Sequence, residues 1–286
     1  MTAVLTVTTA LNQIVTALRA AGVDGGRREA RTLLGIALAA EPLVLLTDPE
    51  RQLTTSETGA LQVVLDRRLA GEPPSRIRGS REFWSLDFAI APGVLDPRPE
   101  TELLVEQALA HVEARRDQPL RILDLGTGSG CILLSLLHEL PAAYGLGLDR
   151  SAEALGIAHQ NADALALGDR SVWVCSDWLA PITGRFDLIV ANPPYIPAGG
   201  IATLERGVKN YDPRTALDGG PDGLSPYRRV IPQLLGFLRP CGAAFFEVGA
   251  GQAGLVAEMA QKSGLQTQIT ADLAGIPRCV GMFPEL

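Results

Sequence analysis

The sequence predicts an α/β protein: a doubly wound, mostly parallel sheet preceded by a small helical bundle and a linking β-hairpin. Three observations carry this. From Leu120 onward, apolar runs of strand length alternate with segments of helical period. The first of these runs, Leu120-Arg121-Ile122-Leu123, opens through Asp124-Leu125 into Gly126-Thr127-Gly128-Ser129-Gly130, and Cys131 to Leu137 then continue at helical length. The first 75 or so residues carry apolar stripes at helical spacing and no strand pattern.

In the amino-terminal part, Leu11, Ile14, Val15 and Leu18 fall on one helix face, and Ala30, Leu33, Leu34 and Ala37 on another. Thr54 and Glu57 form a capping box ahead of a third helix carrying Leu61, Val64, Leu65 and Leu69. Gly71 and Pro73-Pro74 stop it. Arg81 to Ala91 alternate about Ser85-Leu86-Asp87 as a hairpin. Pro97-Arg98-Pro99 then precede a helix from Glu100 to Glu113, with Pro99 in its first turn and Glu100 and Glu102 at its positive end. The expected domains are a helical bundle over 1–78, a hairpin linker over 79–98 and an α/β domain over 99–286.

Within the α/β part, the strand, glycine turn and helix make a Rossmann-like cradle for a nucleotide cofactor. The spacing is Gly-x-Gly-x-Gly rather than Gly-x-Gly-x-x-Gly. A second strand, Tyr144 to Leu148, ends at Asp149, about 20 residues beyond the glycines, where an acid binds a ribose diol. A helix through Leu155, Ala158 and Ala162, a strand at Ser171–Cys175 and a strand at Phe186–Ala191 follow. After a long insert, Pro197–Leu224, a helix is expected over Pro226–Leu238 and a strand over Gly242–Val248. Asp124, Asp149, Asp177 and Asn192 all fall at or just after strands, on the carboxyl edge where such sheets bind ligands. The insert is long for an idle loop, and a substrate-facing lid is expected of it.

Asn192-Pro193-Pro194-Tyr195 at the end of a buried strand suits methylation of a planar nitrogen. Such a nitrogen keeps its lone pair delocalised, and two acceptors that bind its two N–H groups turn it toward an electrophile. The Asn192 side-chain oxygen and the Pro193 carbonyl are the candidate acceptors, with Tyr195 stacking on the flat group. The prolines fix φ and donate no N–H. A proline-rich turn is the plain alternative for the tetrapeptide alone; the glycine loop and Asp149 upstream favour the chemical reading.

This constellation resembles the class I S-adenosylmethionine-dependent methyltransferases, and more narrowly the protein-(glutamine-N5) methyltransferases of the HemK/PrmC type, which act on peptide chain release factors. Gly71-Glu72-Pro73-Pro74, Gly79-Ser80-Arg81-Glu82-Phe83-Trp84 and Arg98-Pro99-Glu100-Thr101-Glu102 are similar to family segments. So are Tyr211 to Gly220, Asp222-Gly223-Leu224, Glu247-Val248-Gly249 and Asp272-Leu273-Ala274-Gly275. The resemblance implies that S-adenosylmethionine, leaving as S-adenosylhomocysteine, contacts Asp124, Gly126, Thr127, Gly128, Ser129, Gly130, Asp149, Asp177, Trp178 and Asn192. It implies that Asn192, Pro193 and Tyr195 act in catalysis, and that Pro194, Arg98 and Glu100 join them around the substrate. The helical bundle would grip a release factor. Asp96 and Arg76 depart from the family pattern, at positions that bear on how the domains meet or which partner surface docks. Ribosomal-protein glutamine or adenine-N6 transfer are alternatives within the chemistry; a non-catalytic adaptor and a dehydrogenase are alternatives outside it.

Net charge is −7, which argues against broad capture of nucleic acid. Cys131, Cys175, Cys241 and Cys279 are far apart, with no metal-ligand spacing, so buried apolar roles and a reducing compartment are expected. His111, His138 and His159 fall in helices and read as structural. No signal peptide and no membrane-spanning run is apparent, so a cytoplasmic, monomeric enzyme is expected.

Overall fold

Helix period alone accounts for the first part of the chain. The computed structural model describes residues 5–40, 47–180 and 182–285, and it divides into two units, 1–79 and 80–286. Residues 1–4 and 41–46 of the expected bundle lie outside the described residues. The first unit holds α1 (Val7–Ala20), α2 (Gly26–Leu38), α3 (Thr55–Leu69) and α4 (Pro74–Arg78). Leu11, Ile14 and Leu18 of α1, Ala30, Leu33 and Leu34 of α2, and Leu61 and Val64 of α3 are buried in one cluster, as amphipathic stripes require. The Thr54 hydroxyl accepts from the Glu57 amide at 3.2 Å, and Glu57 Oε2 accepts from the Thr54 amide at 2.7 Å. Such a cap contributes about 1 kcal/mol. Arg76 is buried in α4, and its carbonyl accepts from Arg67 Nη2 at 3.5 Å.

The second unit begins with the hairpin β1 (Ser80–Phe83) and β2 (Leu86–Ala89), antiparallel, with Phe83 paired to Leu86. The two-residue turn is therefore Trp84-Ser85, one step earlier than the sequence pattern placed it. Both residues have positive φ, 54° and 59°, the geometry that normally selects Asn-Gly. Here side chains supply what glycine would not: Glu102 Oε1 accepts from the Trp84 amide at 2.9 Å and Glu82 Oε1 from the Ser85 amide at 2.7 Å. A buried Asn161 then ties the hairpin to the glycine loop, accepting from the Ala89 amide at 2.8 Å and donating to the Ser129 carbonyl at 2.9 Å.

The sheet comprises β3 (Arg121–Leu125), β4 (Tyr144–Asp149), β5 (Ser171–Cys175), β6 (Phe186–Ala191), β7 (Leu238–Glu247), β8 (Leu265–Ala271) and β9 (Pro277–Pro284), in the order β5-β4-β3-β6-β7-β9-β8. Strands β5, β4, β3, β6 and β7 are parallel, and β9 runs antiparallel to β7 and β8. Successive residues of β6 enter opposite cores: Leu188 and Val190 join one cluster, Ile189 and Ala191 the other. Covered on both faces, the strand reads as a continuous apolar run rather than an alternating one. On one face lie α5 (Glu102–Val112) and α6 (Cys131–Glu139); on the other α12 (Ala253–Lys262) packs with α10 (Ser225–Val230). The helix α7 (Ala152–Ala164) follows β4. The winding direction reverses between β3 and β6, which opens a crevice at their carboxyl ends.

Three expectations change. The helix over Pro226–Leu238 is broken into α10, a 3-10 turn at Ile231–Gln233 and α11 (Leu234–Phe237), because Pro232 has no N–H to continue the ladder. Strand β7 starts at Leu238 rather than Gly242. Cys175 and Cys241 are exposed, and only Cys131 and Cys279 are buried. Among the described residues, no helix is long and apolar enough to cross a membrane.

Candidate active site

The crevice at the switch point holds two adjoining cavities. One, of about 360 Å³, is lined by Gly126 to Ser129, Asp149, Asp177, Trp178 and Pro194. The other, of about 270 Å³, is lined by Glu100, Tyr195, Glu247 and Arg278. Asn192 and Arg98 line both. Of the expected site residues, Asp124, Gly130 and Pro193 line neither.

The glycine loop spends four of its amides, those of Gly126, Thr127, Gly128 and Gly130, inside the protein. The Gly126 and Thr127 amides both donate to the Leu148 carbonyl, at 2.8 and 2.9 Å, and the Gly130 amide donates to the Thr127 carbonyl at 2.8 Å. The Gly128 amide donates to Asp149 Oδ2 at 3.0 Å. Positive φ at Gly126 (73°) and Gly128 (55°) makes this winding possible. A pyrophosphate needs such amides unpaired, so this loop offers a ligand close approach of its backbone rather than an amide cradle. Asp149 also accepts from the Ser151 amide through Oδ1 at 2.9 Å, which fixes its carboxylate while half of its roughly four lone-pair sites stay uncommitted.

Asp124 stands behind the loop. It is fully buried in β3, and its Oδ2 accepts from the Thr127 hydroxyl at 2.6 Å while Oδ1 has no hydrogen-bond partner. Burial, reinforced by the neighbouring Asp149 charge, pushes its carboxyl up to about 7 from the usual 3.8. A carboxyl raised in the folded state stabilises the fold below the unfolded value and loses that stabilisation as pH rises through the folded value. Asp124 therefore costs stability between pH 4 and pH 7, at most on the order of 4 kcal/mol. We expect Asp124→Asn to flatten the decline in unfolding midpoint between pH 4 and pH 8. An unchanged slope in urea melts across that range would show that Asp124 does not titrate there.

Asp177 is exposed and pairs with Arg229 at 2.6 Å. Trp178 has φ of 59°, with its carbonyl accepting from the Ser176 hydroxyl at 2.7 Å. That strained backbone holds the indole near Gly126, where an added Cβ would meet the ring at 4.0 Å. Arg98 pairs with Asp212 at 2.5 Å, and the buried Asp96, the departure noted above, donates its amide to Asp212 Oδ1 at 3.2 Å. This cluster anchors the insert, which contains α8 (Arg206–Tyr211) and α9 (Arg214–Leu217), to the segment before α5. Thr215 and Asp218 of the insert line the first cavity, and Leu204 and Val208 the second.

The Asn-Pro-Pro-Tyr corner is held from behind. Gln252 Nε2 donates to the Tyr195 carbonyl at 2.9 Å, and the backbone of Gly219 and Gly223 packs directly on it. Asn192 Nδ2 donates to the Thr101 hydroxyl at 3.1 Å. The Tyr195 hydroxyl donates to Glu247 Oε1 at 3.2 Å. Burial raises both: the Tyr195 phenol well above its usual range and the Glu247 carboxyl to about 7. Thr101 and Glu247 are absent from the set expected from sequence. Both lie inside recognisable segments, Arg98 to Glu102 and Glu247 to Gly249, but only the fold joins them to Asn192 and Tyr195.

The chain also matches known protein families and relatives. Residues 9–79 match the PrmC N-terminal domain and residues 95–204 the methyltransferase small domain. The chain is 48% identical over 264 residues to the release factor glutamine methyltransferase of Rhodospirillum rubrum, covering 92% of this chain and 80% of that one. It is 46% identical over 266 residues to the release factor glutamine methyltransferase of Bradyrhizobium diazoefficiens, covering 92% and 90%. A methyltransferase structure from Pyrococcus furiosus shares the fold, with a TM-score of 0.52 and 14% identity, covering 80% of this chain and 99% of that one. With that identity over nearly its whole length, the chain belongs to the release factor glutamine methyltransferase family.

Proposed function

We propose that this protein transfers a methyl group from S-adenosylmethionine to the side-chain amide nitrogen of the glutamine in the Gly-Gly-Gln motif of peptide chain release factors. The observation that carries the reading is Asn192 on the wall shared by the two cavities. One cavity has the character a cationic nucleoside cofactor needs. Asp149 would accept from the ribose hydroxyls, Trp178 and Asp177 would flank the base, and Asp149 with the buried Asp124 behind the loop would favour positive charge nearby. The consumed loop amides fit this cofactor better than a dinucleotide. The other cavity takes the carboxamide.

S-adenosylmethionine supplies an electrophilic methyl group on a sulfonium. The chain's own task is alignment, and well-oriented reactants gain roughly 7–11 kcal/mol from positioning. Asn192 Oδ1 and the carbonyl of Pro193, a residue set between the cavity-lining Asn192 and Pro194 though lining neither cavity itself, accept the two amide N–H groups, and Tyr195 stacks on the carboxamide plane. No strong base is needed before attack: as the methyl group passed from sulfur to nitrogen, S-adenosylhomocysteine would leave and the extra amide proton would then be released to solvent.

The test is location of the label. The protein is incubated with methyl-labelled cofactor and, separately, purified release factor, ribosomal protein or adenine-containing DNA, and the products are mapped by mass spectrometry. Label on the Gly-Gly-Gln glutamine is expected. Label confined to a ribosomal-protein glutamine or to adenine would overturn the proposal.

A further inference from the structure

Asn192 is useful only in one of its two amide orientations. Presented to the second cavity, Oδ1 accepts from a substrate N–H; Nδ2 in its place would oppose that N–H with another. Something has to choose between them, and the choice is not made by Asn192 itself.

Four polar groups at the two cavities form two hydrogen-bonded pairs. Asn192 Nδ2 donates to Thr101 Oγ1 at 3.1 Å. A hydroxyl has a single proton, so once Thr101 accepts from Asn192, its own proton points elsewhere. Glu247 lies there, and the Thr101 hydroxyl favours the ionised form of that carboxyl. From the other side the Tyr195 hydroxyl donates to Glu247 Oε1 at 3.2 Å. Thr101 and Glu247 are each only 2% exposed, so water does not compete for these protons. Glu247 Oε2 is buried with no hydrogen-bond partner, which leaves one acceptor of this carboxyl open. An ionised carboxylate accepts and never donates. Burial holds this carboxyl up to about 7, so above that pH it is the acceptor toward which the Tyr195 and Thr101 protons point.

We propose that Thr101 and Glu247 are positioning residues that lock the Asn192 carboxamide with Oδ1 toward the substrate and Tyr195 in its stacking place. The inference rests on the acceptor role given to Asn192 under Proposed function. It assigns to the Arg98–Glu102 segment a task beyond starting α5: its threonine reads the polarity of Glu247 and transmits it across to the corner after β6. It also explains why a carboxylate is buried beneath a pocket for a neutral amide.

The experiment compares Thr101→Val, Thr101→Ser and Glu247→Gln for kcat, KM for release factor and cofactor affinity by calorimetry. Valine keeps the shape and removes the hydroxyl. Glutamine keeps the shape but brings an NH2 that donates to Thr101 and allows these hydrogen bonds to reverse. We expect kcat to fall about 10- to 100-fold in Thr101→Val and Glu247→Gln, the range for losing a hydrogen bond that involves a charged group. Cofactor affinity should stay within about threefold, and Thr101→Ser should restore kcat to within about threefold of the parent. Should Thr101→Val fold poorly, Glu247→Gln against the parent gives the same reading. Equal kcat in all three variants overturns the relay, as does equal loss in Thr101→Ser and Thr101→Val. If those variants are unaffected while Asn192→Ala is inactive, only the relay fails. If Asn192→Ala is active, the acceptor role itself is wrong.

Discussion

Replacing Asn192 with alanine is expected to lower turnover by about 10²- to 10³-fold, the range seen when one preorganised hydrogen-bonding group is removed from a reacting centre. The fold and the cofactor affinity should change little. Asn192 is only half-buried, and its one hydrogen bond among the described residues is to Thr101 Oγ1. The corner's position does not depend on that bond, because Gln252 and the glycine backbone hold Tyr195 and Pro194 independently. What is lost is an acceptor on the wall between the cavities. The nitrogen then has one partner rather than two, its plane is free to rotate, and the alignment gain shrinks. The measurement is single-turnover methylation of a release factor alongside calorimetric titration of the cofactor. Near-parental turnover would falsify the acceptor role.

How much of this was legible beforehand follows from the range of each interaction. The capping box at Thr54 and Glu57 spans three residues, and the amphipathic stripes repeat every three or four, so local pattern specified them. The edge that gathers Asp149 and Asn192 was legible because parallel α/β topology forces successive strands to end on the same side. The direction of the loop's amides was not. They turn inward to Leu148 on the neighbouring strand, a pairing that exists only once β3 and β4 are in register. The hairpin turn was misplaced because Trp84 and Ser85 carry none of the glycine or asparagine chemistry that marks positive φ; Glu82 and Glu102 compensate from outside the turn. Strand β8 was missed because exposed polar residues such as Gln266 and Gln268 dilute the strand signal, and β9 because its buried stretch does not alternate and is set between Pro277 and Pro284. Thr101 and Asn192 are 91 positions apart, and no periodicity connects them.

The same logic gives opposite outcomes for two glycine-to-alanine changes in one unit. Gly236 lies in α11 with nothing within 4 Å of an added Cβ, and alanine there should stabilise by roughly 0.5–1 kcal/mol through lost unfolded-state freedom. Gly223 has φ of 78°, and an added Cβ would stand 2.3 Å from the Tyr195 carbonyl oxygen and 2.6 Å from Gln252 Nε2. The left-handed backbone alone costs an alanine about 1–2 kcal/mol. The clash adds to this, because its first partner is backbone and no rotamer change relieves it. Relief comes only by pushing the Tyr195 peptide away, which breaks the Gln252 bond and moves the end of the Asn-Pro-Pro-Tyr corner. A shift approaching 1 Å at a reacting centre lowers rate about 100-fold. We therefore expect Gly223→Ala to lower both the unfolding midpoint and kcat, with cofactor affinity less affected because Tyr195 lines only the second cavity. Gly236→Ala should leave kcat alone and raise the midpoint. If Gly223→Ala melts and turns over like the parent, the corner is softer than its packing implies, and a rigid hold on the carboxamide is not how this site works.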